Sequence, residues 1–121
     1  MGKTILVVDD AGVMRQLNAM TLRGEGFEVI EAVDGSDALL KISGQQIDLV
    51  LTDINMPVMD GIELIKEIRN NAEHKYVPIL VLSTLSQEAK VKEGKEAGAS
   101  GWIYKPYKPH QLMEVIRKLI S

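Results

Sequence analysis

Thr4-Ile5-Leu6-Val7-Val8-Asp9-Asp10 is the stretch on which the reading of the fold turns. Ile5 to Val8 form an unbroken apolar run that stops on two adjacent carboxylates. The run lacks the alternation of a strand with one wet face, and suits a parallel strand covered on both faces. The same pattern returns at Asp48–Thr52, followed by Asp53, and at Pro78–Ser83. Two shorter candidates complete the set. Glu28-Val29-Ile30-Glu31-Ala32 carries charges and reads as an edge strand, and Gly101–Tyr104 lies near the end of the chain.

Helical periodicity fills the intervals. Val13, Leu17 and Met20 mark the inward stripe expected of a first helix, which Gly24 and Gly26 end. Ala38, Leu39 and Ile42 mark a second, entered through Asp34-Gly35-Ser36. A third opens at Asp60, with Glu63 placed as in a capping box, and carries Leu64, Ile65 and Ile68. The last opens on Pro109 and presents Leu112, Val115, Ile116 and Leu119. The fourth, from about Ser86 to Ala97, is thin: Ala89, Val91 and Ala97 are its apolar residues, and Gly94 interrupts it at a cost of roughly 1 kcal/mol relative to alanine. It is the element expected to move. Strict β and α alternation predicts an α/β fold, a doubly wound five-stranded parallel sheet with five helices.

Composition bounds the function. A chain of 121 residues, 45% hydrophobic and 26% charged, is expected to form one domain over residues 1–121. The absence of cysteine excludes disulfides, thiolate metal sites and thiol nucleophiles. No apolar run approaches the ~18–20 residues of a membrane span, and the N-terminus leaves no room for a signal peptide, so a cytoplasmic location is expected. A net charge of −3 argues against nucleic acid as a partner. His74 and His110 lack partners at metal-ligand spacing and are expected in solvent. Met14, Met20 and Met113 read as core packing.

Doubly wound sheets bind ligands at the carboxyl ends of their strands. There the chain places Asp9-Asp10, Asp53-Ile54-Asn55-Met56-Pro57, Ser83-Thr84 and Lys105-Pro106. Three carboxylates in one place suit Mg²⁺, which takes one or two carboxylates and keeps several waters. A carboxylate can act as the nucleophile toward phosphorus, while lysine and serine are donors to a phosphoryl group. Each piece alone has a structural explanation, Asp9-Asp10 as a helix cap and Lys105-Pro106 as a turn. Their convergence on one edge is what points to phosphoryl transfer.

These segments, together with Leu51–Gly61 and Ala97–Tyr107, resemble the receiver domain of two-component response regulators, and in particular its stand-alone chemotaxis branch. The resemblance covers the whole chain. It implies the flavodoxin-like strand order 2-1-3-4-5, Asp53 as phosphoacceptor, and Mg²⁺ held by Asp9, Asp10, Asp53 and the Asn55 backbone carbonyl. It also implies Ser83 and Lys105 as phosphoryl contacts, a cis Lys105–Pro106 bond, and a switch formed by Ser83, Thr84 and Trp102. On activation Ser83 would move toward the phosphoryl group, with Trp102 following inward. Three positions depart from the family: tryptophan where tyrosine or phenylalanine is usual, Thr84 where alanine or glycine is common, and Tyr107 in place of phenylalanine, whose hydroxyl needs a partner if buried.

The implied function is a phosphorylation-activated switch without turnover of a diffusible substrate. It would take its phosphoryl group from a chemotaxis-type histidine kinase and act, as a monomer, on a flagellar motor switch or other protein through the fourth helix, fifth strand and fifth helix. A phosphorelay shuttle or a regulator of another system is the alternative. A phosphohydrolase of the haloacid-dehalogenase type needs a second acid where Asn55 stands. A nucleotide-binding module needs a glycine-rich phosphate loop after the first strand, where Asp9-Asp10 would repel an anion.

Overall fold

A computed structural model describes residues 2–120. Strands β1 (Thr4–Val8), β2 (Glu28–Ala32), β3 (Leu49–Asp53), β4 (Ile79–Ser83) and β5 (Gly101–Tyr104) alternate with helices α1 (Gly12–Gly24), α2 (Gly35–Ile42), α3 (Gly61–Arg69), α4 (Glu88–Ala97) and α5 (Pro109–Ile120). All strand pairs are parallel, in the order β2-β1-β3-β4-β5. Both the fold class and the strand order match expectation, and the charged β2 is an edge strand.

Side-chain alternation divides the core in two. Leu6, Val8, Val50 and Val81 point toward α2 and α3, joining Ile42, Leu64, Ile65 and Ile68. Ile5, Val7, Leu49, Leu51, Leu80 and Leu82 point the other way, toward Leu22 of α1 and Leu112, Met113 and Ile116 of α5. This double coverage explains why the central strands are apolar at every position.

Caps set the helix starts. Asp34 accepts the Asp37 N–H at 2.8 Å, and Asp60 accepts the Glu63 N–H at 2.9 Å. β3 and β4 each begin one residue later than the sequence reading placed them, and β3 extends to include Asp53. The segment ahead of α4 is a 3₁₀ turn, Leu85–Gln87, so the α-helix proper starts at Glu88.

Two expectations fail. The predicted inward stripe of α1 faces water: Val13, Leu17 and Met20 are exposed, and Asn18, Ala19 and Leu22 are the buried residues. Met20 is therefore no core residue, whereas Met113 is. His74 is not solvated. It is 4% exposed, with Nε2 at 2.8 Å from the Gln45 carbonyl oxygen, while His110 is exposed as expected. No helix among the described residues is long and apolar enough to cross a membrane.

Candidate functional site

β1 delivers Asp9 to the carboxyl edge as a buried residue, with Asp10 exposed beside it. Asp9 Oδ1 accepts the Ala11 N–H at 2.9 Å at the mouth of α1, so part of this side chain does serve the helix start. Asp9 Oδ2 is buried without a hydrogen-bond partner among the described residues. Burial pushes the Asp9 carboxyl above the usual range. The charges of Asp53 and Asp10 push the same way, against the Ala11 N–H and Lys105. Arg15, unforeseen in the sequence, donates to the Asp9 backbone carbonyl at 3.0 Å and to Glu31 of β2 at 3.2 Å, fixing the end of β1 from outside.

Asp53, 8% exposed, ends β3. Its Oδ1 accepts the Ile54 N–H at 2.9 Å and pairs with Lys105 Nζ at 3.2 Å. Its Oδ2 has no hydrogen-bond partner among the described residues. Lys105 is aimed by its own backbone: its N–H donates to the Ser83 carbonyl at 2.7 Å, and the Lys105–Pro106 peptide is cis, as the resemblance implied.

The segment after Asp53 is built for close approach. A Cβ on Gly61 would sit 2.6 Å from the Asp53 carbonyl oxygen and 2.7 Å from Ile54 Cα, so only glycine lets α3 begin directly behind the site. Val58 adopts φ 69° in a tight turn closed by the Met59 N–H to the Pro57 carbonyl at 2.7 Å. A β-branched residue in that region costs about 1–3 kcal/mol. The loop bearing Asn55, itself exposed, is thus held in a costly shape beside the acidic cluster.

Carboxylate oxygens of Asp9, Asp10 and Asp53 lie within 4.8 Å of one another. An unsatisfied buried oxygen among three acids fits a hard divalent cation with oxygen ligands, and Mg²⁺ is such an ion. Ser83 is fully buried at the end of β4, where its Oγ accepts the Trp102 indole N–H at 2.5 Å. Thr84 is exposed; its Oγ1 lies 2.7 Å from Ser86 Oγ and its N–H donates to Gln87 Oε1 at 2.8 Å. Tyr107, the hydroxyl in need of a partner, donates to Asn18 Oδ1 at 2.9 Å. Burial holds its phenol above the usual range.

The response regulator receiver domain family matches residues 5–117. The chain belongs to that family. This receiver is 40% identical to the chemotaxis protein CheY of Thermotoga maritima over 98% of both chains. The high-resolution structure of chemotaxis response regulator CheY4 of Vibrio cholerae superposes on it with a TM-score of 0.92, at 39% identity, covering 98% of this receiver and 99% of that chain. A receiver domain of a sensor histidine kinase from Pseudomonas aeruginosa, solved with a magnesium ion coordinated in its active-site cleft, gives a TM-score of 0.91 at 29% identity over 99% of this receiver and 98% of that chain.

Proposed function

We propose that Asp53 is the phosphoacceptor of this receiver. Its free Oδ2 attacks the phosphorus of a phosphohistidine in a sensor kinase. The P–N bond breaks, and its electron pair returns to the imidazole nitrogen, which takes up a proton. Lys105 stays with the carboxylate that it already contacts and becomes a donor to the phosphoryl oxygens, as does the Ser83 hydroxyl. Asp9, Asp10, Asp53 and the Asn55 backbone carbonyl would hold Mg²⁺, which offsets the charge gathered between acids and phosphoryl group. The magnesium-bound Pseudomonas receiver supports this assignment. One observation carries the reading: an aspartate with one oxygen tied to a lysine and a backbone N–H, the other free, inside a cluster of three acids.

The product is a changed protein surface rather than a released molecule, so the receiver is a switch and not a turnover enzyme. Its relatives named as chemotaxis proteins match it over nearly their whole length, which supports a role in chemotaxis and control of the flagellar motor. We assign the whole chain, residues 1–121, to one receiver domain, acting as a cytoplasmic monomer. A chemotaxis-type histidine kinase supplies the phosphoryl group, and a motor switch protein or other target reads the surface formed by α4, β5 and α5. Nucleic acid and membrane have no part in this reading.

The chemotaxis assignment is tested by phosphotransfer. A phosphorylated chemotaxis kinase should label this receiver much faster than a sensor kinase from another system does, in a reaction that needs Mg²⁺ and Asp53. Equal rates from both donors would place it outside chemotaxis. Labelling that survives Asp53→Asn would overturn the acceptor.

A further inference from the structure

The hydrogen bond between Trp102 and Ser83 has a fixed direction. An indole nitrogen only donates, so Ser83 Oγ is the acceptor and keeps its own proton. Ser83 is 0% exposed, and among the described residues the indole is the only hydrogen-bond partner of its Oγ. A buried O–H with no acceptor is unfavourable, and an oxygen arriving within reach relieves it. We propose that Trp102 is a positioning residue for phosphoryl binding: its N–H occupies one lone pair of Ser83 Oγ and leaves the Ser83 proton to be donated to a phosphoryl oxygen on Asp53. The inference rests on the reading of Asp53 and Ser83 given above.

Gly94 completes the device. A Cβ at that position of α4 would lie 2.7 Å from Trp102 Cζ3 and 2.8 Å from Cη2. Glycine is a poor residue for a helix interior, yet here it opens the slot that admits the six-membered ring of the indole. Phenylalanine could fill much of this space but could not donate. The tryptophan therefore adds a polar function to a position where an aromatic ring would otherwise only pack, and α4 is joined to Ser83 through the ring.

The test measures affinity for beryllofluoride, a stand-in for the phosphoryl group, by calorimetry in the presence of Mg²⁺. Trp102→Phe should weaken binding about three- to tenfold, the worth of one ordinary hydrogen bond, while affinity for Mg²⁺ alone is retained. Gly94→Ala should give a similar loss with the indole still present, because the ring is displaced. Neither change should weaken binding further once Ser83→Ala is made, and that dependence separates positioning from a general structural defect. Should Trp102→Phe fold poorly, Gly94→Ala with and without Ser83→Ala carries the same comparison. Neutral variants, or equal losses in the presence and absence of the Ser83 hydroxyl, overturn the proposal while Asp53 and Ser83 keep their roles. Beryllofluoride binding that ignores Asp53→Asn overturns the functional reading and this inference with it.

Discussion

The two ends of the sheet treat polar groups in opposite ways. At the amino end most are met by the protein itself, although His74 Nδ1 is buried without a hydrogen-bond partner among the described residues. Arg69 donates to the carbonyls of Gly98, Val77 and Lys75, tying α3 to the segments that lead into β4 and β5. Asp48 accepts the Thr4 N–H at 2.7 Å, and His74 meets the Gln45 carbonyl oxygen. At the carboxyl end, Asp9, Asp10 and Asp53 crowd together beside Lys105, and a buried Asp9 oxygen goes without a partner among the described residues. One end is arranged for stability. The other keeps an excess of negative charge that a cation can relieve.

Mutation should therefore have opposite signs at the two ends. Arg69→Ala should cost about 2–4 kcal/mol in urea unfolding, because it strips donors from the part-buried Gly98 and Val77 carbonyls at once. A loss under 1 kcal/mol would mean that water replaces the guanidinium at no penalty. At the other end, Asp10→Asn in metal-free protein should gain about 0.5–2 kcal/mol, since like charges near 5 Å apart repel even at an effective dielectric of ~20. The gain should shrink when Mg²⁺ is added. Asp53→Asn should gain less, because it also gives up the Lys105 ion pair. A loss of stability in Asp10→Asn would erase the contrast between the ends.

A smaller effect follows from Asp9. Its carboxyl holds a proton more tightly folded than unfolded, so its contribution to stability is full below about pH 4 and is lost as pH rises through its elevated value. Metal-free unfolding measured from pH 4 toward neutrality should show this decline, and Asp9→Asn should flatten it. A parent whose stability in this window has the same slope as Asp9→Asn would show that the Asp9 carboxyl is not raised. The smallest change expected is spectroscopic. Trp102 is the only tryptophan, and beryllofluoride with Mg²⁺ should shift its emission and reduce quenching by iodide. The shift should be modest because the indole already reaches Ser83. An unchanged spectrum with beryllofluoride bound would detach Trp102 from the site.

How much of this was legible in the sequence follows from the range of each interaction. Ile5–Val8, Leu49–Leu51 and Ile79–Leu82 announce strands buried on both faces, and once the sheet is parallel the ends of β1, β3, β4 and β5 must meet. The acidic cluster was readable for that reason. Helix α1 was misread because it carries apolar residues on two faces, and periodicity finds a stripe without saying whether it points inward. The buried face contains Asn18, a polar residue whose partner, Tyr107, lies far along the chain. His74 likewise finds its carbonyl, and Arg69 its partners, only after the fold has formed. The Trp102–Ser83 bond lies between these cases. β5 pairs Tyr104 with Ser83, which makes Trp102 a diagonal neighbour of that hydroxyl on the same face, but the slot opened by Gly94 needs α4 in place.

Every role assigned at the carboxyl edge depends on which residue carries the phosphoryl group. The protein should be incubated with acetyl phosphate and Mg²⁺, the acyl phosphate reduced with borohydride, and the modified residue located by peptide mass spectrometry. Modification confined to Asp53, and lost when Mg²⁺ is chelated, is the predicted result. A stoichiometric modification elsewhere, or one that persists in Asp53→Ala, would show that Asp53 is not the phosphoacceptor.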